Sequence, residues 1–474
     1  VFFYALAKKP LSSYNVAKSE MHQKGARKGA PVDMINAKGR VADNGKVETR
    51  FTGKNLTTVG GMGLFRRFAR KLGVEEELEQ SVKFPGREGK YPEGRKLLSL
   101  IYALVLDLSR LSDTALLRVD KVFQKIAGLS DFPHQSTFSR FLAKFTVPAA
   151  KRIGEANVEL LMKARNSFQD YYEMTLDFDS HVKTVYGHQQ RAGKGYNPKK
   201  PGRKSFHPLC CFVGETRDFL WGRFRPGNRY SGQGAKSFLK ECLKLLPKGI
   251  RKLRARGDSG FFDEDFLEEL ERRRVEYAIA AKLYRPIQYL LAGLEYRDIG
   301  GGRSVAKLRY RGSWKKERRM VAIREEITED KKKKESKLFE LKGYSFQVIV
   351  TNIEEGKSEE VWRFYNDRAN VENMIKEGIL GYGLDVTPSH WYGGNVAHFF
   401  LVMLAYNLMN WFKEKVLGQK KEKRMAKWIR QRFLLIAGKL VKRGRKWILN
   451  LPVNWPWREE YEKAEQRLEA LVFT

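Results

Sequence analysis

Apolar residues recur at helical spacing through the first third of the chain. In "GMGLFRRFARKLG", Leu64, Phe65, Phe68 and Leu72 fall on one face of a helix. "GRKLLSLIYALVLDLSRLS" follows as a more apolar helix. Next, Ser112 or Asp113 can cap a helix, Gly128 ends a second, and Pro133 precedes a third. That third helix carries Gln135, Ser136, Thr137, Ser139 and Arg140. Residues 57–165 are therefore expected to be helical. After 170 the period changes from helical to two. "YEMTLDFDSHV" sets Met174, Leu176 and Phe178 on one face and Thr175, Asp177 and Asp179 on the other.

The alternation continues. "FHPLCCFVG" and "DFLWGRFRPG" read as a hairpin, and "GAKSFLKECLKLLPKG" as a helix. "RKLRARGDSGF" is a strand ending at Asp258, followed by the helix "FDEDFLEELERRR" and the strand "VEYAIAAK". Three strands, helix, strand, helix, strand is the order of a ribonuclease-H-like α/β core, a mixed sheet flanked by helices. Short basic strands over 283–343 interrupt it, with the charge run "EDKKKKESK" as a loop. The strand "YSFQVIVTN" resumes the core, and one helix spans "SEEVWRFYNDRANVENMIKEG". The segment around 396–412 is nearly all apolar, but His398, Asn407 and Asn410 interrupt it. It reads as a buried core helix and not a membrane span.

The expected organisation has five parts. Residues 1–56 are a basic, flexible arm. Residues 57–165 are a helical region, whose short-helix, turn, helix run suits a DNA-reading helix-turn-helix. Residues 166–282 and 344–415 form the ribonuclease-H-like core around the strand-rich insertion 283–343. Residues 416–474 are a basic, Trp-rich tail. A chain of 474 residues has room for about three domains at about 150 residues each.

Charge narrows the function. Lys and Arg number 91 against 55 Asp and Glu, a formal net charge of +36. An enzyme of small metabolites has no use for such an excess, whereas a polyanion does, and nucleic acid is the first candidate. A membrane surface fits less well, because the charge is spread along the chain without a cationic amphipathic helix. Three cysteines, Cys210, Cys211 and Cys242, offer neither a disulfide framework nor zinc spacing, which suits a reducing, cytosolic setting. His181, His188 and His207 also lack zinc spacing, and no phosphate-binding P-loop occurs. The opening "VFFYALAKKP" lacks the charged lead of a signal peptide, and Met21 is one option for the true start.

The chemistry is expected at acidic residues. Asp177 and Asp179 share the polar face of the first core strand, and Asp258 stands at a strand end where Gly260 lets the chain turn. Glu372 lies one turn from Arg368 and two from Tyr365. Three carboxylates brought together resist ionising. Divalent cations relieve that, and two of them roughly 3.5–4 Å apart can run phosphodiester chemistry. The stretch "QQRAGKGYNPKKPGRK" adds six basic residues and no acidic one, with Lys199, Lys200, Arg203 and Lys204 suited to tracking phosphates.

"TLDFDS", "RGDSGF" and "YNDRANVEN" together resemble the DDE transposases of bacterial insertion sequences. They fit best the cut-and-paste group with a Tyr-x2-Arg-x3-Glu helix, whose spacing Tyr365, Arg368 and Glu372 match. The resemblance covers about 175–410, half of the chain, and more weakly "HQSTFSRFL". It implies that Asp179, Asp258 and Glu372 form a triad binding Mg²⁺ or Mn²⁺, two ions in all. Asp177 is the alternative first member, and Ser180 after Asp179 favours Asp179. The resemblance further implies that Tyr365 and Arg368 contact phosphate and that the insertion helps hold DNA. Trp314 either stacks on a flipped base or is a core Trp. The family often has Lys seven residues after the Glu. Ile379 stands there, and Lys376, one turn after Glu372, can supply the charge.

These readings converge on an α/β transposase working in the cytoplasm at the nucleoid. Its partners are double-stranded DNA, both terminal inverted repeats and target, and a second copy of itself when two ends are synapsed. Ser136, Thr137 and Arg140 are candidates for contacting DNA from the helical region. A ribonuclease-H-like nuclease that never joins strands, and a transposase-derived DNA-binding protein without catalysis, are the alternatives.

Overall fold

The computed structural model describes residues 50–87, 89–327, 340–341, 343–354, 356–419 and 425–473. Most of the expected arm 1–56 and the whole charge run 329–337 lie outside the described residues. The elements below all belong to the unit Lys54–Thr474.

After β1 (Leu56–Thr57) come helices α1 (Met62–Leu72), α2 (Val74–Ser81), α3 (Glu93–Val105), α4 (Ala115–Val119), α5 (Lys121–Ile126), α6 (Gln135–Ala143) and α7 (Val147–Ala164). Strand β2 (Glu173–Ser180) follows, then the short β3 (Lys183–Thr184), β4 (Gly193–Lys194) and β5 (Lys204–Phe206). The next elements are β6 (Leu209–Val213), β7 (Phe219–Arg223), α8 (Ala235–Lys244), β8 (Lys252–Gly257), α9 (Glu264–Arg272) and β9 (Glu276–Ala280). Helix α10 (Arg285–Ala292) leads into β10 (Arg297–Gly300), β11 (Arg303–Tyr310), β12 (Arg318–Glu326), β13 (Glu340–Leu341) and β14 (Tyr344–Thr351). Helices α11 (Ser358–Asn366), α12 (Ala369–Tyr382), α13 (Tyr392–Trp411) and α14 (Ala426–Ile429) precede β15 (Gly438–Arg443), β16 (Lys446–Asn450) and α15 (Arg458–Ala470).

One mixed sheet dominates, in the order β10-β11-β12-β14-β9-β8-β2-β6-β7, with β13 also on β14. β2, β8 and β9 run parallel, and every other pair in it is antiparallel. The strands of 283–343 join this sheet. β12 pairs with β14, and β14 pairs with β9.

β2 lies between β8 and β6 and is buried on both faces, so the alternation in its sequence sorts chemistry between two covered surfaces. Phe178 packs against Phe238 of α8, Phe261, and Phe266 of α9. The opposite face carries Asp177 and Asp179 toward α11 and α12.

Helix α13 is buried along almost all of its length. Its asparagines complete the sheet edge. Asn407 Oδ1 accepts from the Phe219 N–H at 2.8 Å, and its Nδ2 donates to the Phe219 carbonyl at 2.8 Å and to Asn157 of α7 at 2.9 Å. The β7 backbone is thus satisfied by side chains where another strand would otherwise pair. Among the described residues no helix is long and apolar enough to cross a membrane.

The single helix expected over 358–378 is two. α11 ends at Asn366, and α12 starts at Ala369. The cause is local competition for a carbonyl. Arg256 Nη1 takes the Phe364 carbonyl at 3.0 Å, and the Arg368 N–H bonds instead to Tyr365 O at 2.9 Å. The tightened turn carries the Arg368 side chain inward.

Candidate active site

The parallel register of β2 and β8 pairs Phe178 with Gly257, so Asp179 and Asp258 follow side by side at the two strand ends. Ligands of α/β sheets collect at such ends. Asp258 caps a short turn, its Oδ1 accepting from the Gly260 N–H at 2.9 Å. Only glycine fits there: a Cβ on Gly260 would lie 2.6 Å from Ser231 Oγ and 2.8 Å from Asp258 Oδ1. Asp179 Oδ1 accepts from the Ser180 N–H at 2.7 Å. Its Oδ2 lies 3.3 Å from Arg368 Nη2, while Arg368 Nη1 lies 3.5 Å from Glu372 Oε1. One guanidinium thus bridges a buried carboxylate and a Glu side chain that is 72% exposed.

Burial pushes the Asp179 carboxyl up to about 7. Arg368 opposes the rise, and Asp258 and Glu372 add to it. Asp258 is also raised, by burial first and by Glu372, against Arg368 and the Gly260 N–H. Burial works against the charge on Arg368, but Asp179, Tyr365, Asp258 and Glu372 outweigh it, and its pKa is raised. The site therefore holds carboxylates that resist joint ionisation around one fixed positive charge.

Asp177 has a different setting. It is fully buried and held bidentately by Arg256, Nε to Oδ1 at 2.6 Å and Nη2 to Oδ2 at 2.8 Å. All the strong partners it needs are within the sheet.

A cavity of about 460 Å³ opens beside Asp258, lined among others by Ser180, His181, Lys199, His207, Ser231 and Lys282. Lys199 of the basic stretch thus reaches the site. Lys200 and Lys204 are exposed, and Arg203 lies over the Tyr186 ring at 6.0 Å. Tyr365 and Arg368 are both buried and face the carboxylates, so in this conformation they do not present themselves to a phosphate at the surface. Lys376 lines a separate pocket with Arg217 and Lys413. Trp314 is half-buried, 4.8 Å from the Phe262 ring, with the Arg318 guanidinium 4.9 Å from its own ring. On α6, Ser136 Oγ bonds to His134 Nδ1 at 2.8 Å at the helix start, Thr137 is half-buried and Arg140 is exposed.

Several residues at the site carry no signal in the sequence. Arg256 shares the strand parity of Asp258, but its pairing with Asp177 depends on β2 and β8 being neighbours. His181 Nε2 meets Asp385 Oδ1 at 2.5 Å across 204 residues of chain. His207 Nδ1 bonds the Arg229 carbonyl at 2.7 Å, and its Nε2 bonds Ser180 Oγ at 3.0 Å. These histidines are thus tied into the site's hydrogen bonds.

The donors suit a hard divalent cation, because Asp179 and Asp258 offer carboxylate oxygens whose charges are poorly compensated. Glu372 would complete such a set only by leaving Arg368. Among the described residues no three His, Cys, Asp or Glu side chains converge closely enough to hold a metal ion.

No curated protein matches the chain. Among solved structures, a piggyBac transposase synaptic complex with hairpin DNA aligns at 11% identity and a TM-score of 0.43, over 78% of each chain. A Mos1 transposase paired-end complex with the left transposon end aligns at 13% identity and a TM-score of 0.16, over 41% of this chain and 61% of that one. The family model described as "Transposase DDE domain group 1" matches residues 40–473, nearly the whole length. The chain belongs to that family of DDE transposases.

Proposed function

We propose that the protein is a metal-dependent cut-and-paste transposase of a bacterial insertion sequence. It binds the terminal inverted repeats of its element, cleaves the 3′ phosphodiester bonds and joins the freed ends to target DNA. The observation that supports this best is the pairing of Asp179 with Arg368 and of Arg368 with Glu372, beside Asp258. In this reading Asp179, Asp258 and Glu372 are the triad of a ribonuclease-H-like core, and Asp177 is structural.

The triad would hold Mg²⁺ or Mn²⁺, two ions in the working state. When bound, these would make a water or a 3′-hydroxyl more nucleophilic and offset charge on the leaving oxygen. The chain's own residues do the rest. Lys199 and Lys282 in the cavity attract the phosphate of the strand to be cut. Arg368 orients Asp179 and holds Glu372 until the site is loaded. Water attacks first, and the resulting 3′-hydroxyl then attacks target DNA, so no covalent protein–DNA intermediate forms. The helices of 57–165 contact the terminal repeats, with Ser136, Thr137 and Arg140 facing the DNA, and two copies synapse the two ends.

The test uses purified protein, Mg²⁺ or Mn²⁺, and labelled duplexes carrying the element's ends. Wild type should cleave and join. Asp258→Asn and Glu372→Gln should bind DNA and do neither. Cleavage that survives both substitutions would overturn the triad. Cleavage without joining would favour a plain nuclease, and binding without cleavage a non-catalytic descendant.

A further inference from the structure

The tip of the β15–β16 hairpin is an exposed run of cations with no acidic neighbour. Lys442, Arg443, Gly444, Arg445, Lys446, Trp447 and Ile448 are all exposed, Trp447 at 47% and Ile448 at 37%. No Asp or Glu occurs between Ile436 and Trp457. Among the described residues none of the four cations has an ion-pair partner.

The root of the hairpin is fixed in a three-stranded sheet, and near the tip Trp447 meets Lys125 of α5. β1 pairs with β15 at Gly438 and Lys439, and Leu440 is buried. Beyond Leu440 the hairpin is a two-stranded ribbon, closed by a two-residue turn with Gly444 at φ 59°. The ladder sets Arg443 opposite Lys446, two like charges whose juxtaposition costs stability. Lys442 faces Trp447, whose ring also lies 3.6 Å from Lys125 Nζ and 5.9 Å from Lys442 Nζ. Two cations therefore share one ring with no carboxylate to separate them.

Lysines on an edge strand can serve only to prevent sheets from pairing. That role does not call for an exposed Trp and Ile beside them, nor for arginines in and next to the turn. A polyanion would remove the repulsion and cover the ring. We propose that this ribbon is a docking element for duplex DNA. It enters a major groove, roughly 12 Å wide and able to admit two strands. Lys442, Arg443, Arg445 and Lys446 meet the phosphates on its walls. The proposal rests on the transposase reading and adds a contact outside the helical region and the catalytic cavity.

The experiment compares wild type with the quadruple variant Lys442→Gln, Arg443→Gln, Arg445→Gln, Lys446→Gln. A control variant loses four exposed cations elsewhere, Lys244, Lys248, Arg251 and Arg274, each to Gln. Binding to an end-containing duplex, a scrambled duplex and a single strand is followed by fluorescence anisotropy across a salt series. The ribbon variant should bind both duplexes at least about tenfold more weakly, because phosphate contacts are blind to sequence. Its log K against log salt slope should fall by about 3–4, near one for each of the four phosphate contacts. The control should keep the wild-type slope. An unchanged slope in the ribbon variant, an equal loss in the control, or a loss confined to single-stranded DNA would overturn the proposal. Wild type that binds no duplex at all would overturn the transposase reading with it. Should the melting temperature of the quadruple variant fall, Arg445→Gln alone carries the test, with a slope change near one expected.

Discussion

Asp177 and Arg256 lie directly opposite each other on the parallel strands β2 and β8, joined by two hydrogen bonds of 2.6 and 2.8 Å. Two residues further along each strand stand Asp179 and Asp258. One strand period of two residues, on the same face, therefore separates a structural ion pair from the candidate catalytic pair. Removing one member of a buried pair leaves the other charge stranded, at a cost of about 3–5 kcal/mol. Asp177→Ala should lower the urea midpoint sharply, while Asp179→Asn should leave the protein folded and abolish DNA cleavage. The reverse pattern would make Asp177 the first triad member.

The raised carboxyl of Asp179 has a signed effect on stability. In the unfolded chain an Asp ionises near 4. In the folded protein it stays protonated to about 7. Between these values the folded state binds more protons, so stability falls as pH rises through that window. In urea titrations with EDTA, metal-free wild type should lose stability relative to Asp179→Asn between pH 5 and pH 8, the other titrating groups being common to both proteins. Equal declines in both proteins would contradict this assignment.

A divalent cation that binds only the folded state stabilises it by mass action, about 2.7 kcal/mol at a hundredfold excess over Kd. Mg²⁺ or Mn²⁺ at pH 8 should raise the melting temperature of wild type. The shift should vanish in Asp258→Asn and shrink in Glu372→Gln. Because Arg368 holds Glu372, Arg368→Gln should bind the metal without first breaking that pair, yet leave Asp179 less well oriented and cleave more slowly. Absence of any shift in wild type would count against metal binding at this site.

The asparagines of α13 support a different prediction. Asn407→Leu strips the side-chain partner from the Phe219 N–H and from Asn157 Oδ1, while the Phe219 carbonyl keeps Asn157 Nδ2 at 3.3 Å. A buried unpaired polar group costs about 1–3 kcal/mol, so a loss of about 2–4 kcal/mol is expected on chemical denaturation. No loss would show that water satisfies the β7 edge.

Local order explains which of these features can be read along the chain. The switch from a period near 3.6 to a period of two around residue 170 marks where helices give way to the sheet, because each pattern is set by neighbouring residues alone. The same holds for Asp258 before a Gly-containing turn and for the Tyr365, Arg368, Glu372 spacing. The split between α11 and α12 was not legible, since it depends on Arg256 reaching Phe364 O from another strand. Nor was the path of residues 283–343 into the central sheet, which follows from β14 lying between β12 and β9.

Chain-local chemistry therefore settles the element types, the cationic character and the short list of acidic candidates. Those properties reside in residue identity and spacing. Folding decides the rest: that Asp177 pairs with Arg256, that Asp179 faces Arg368, and that Lys199, His181 and His207 gather by Asp258. Each depends on strands and helices distant in sequence becoming neighbours, and on burial that raises carboxyl pKa values only once water has been excluded around them.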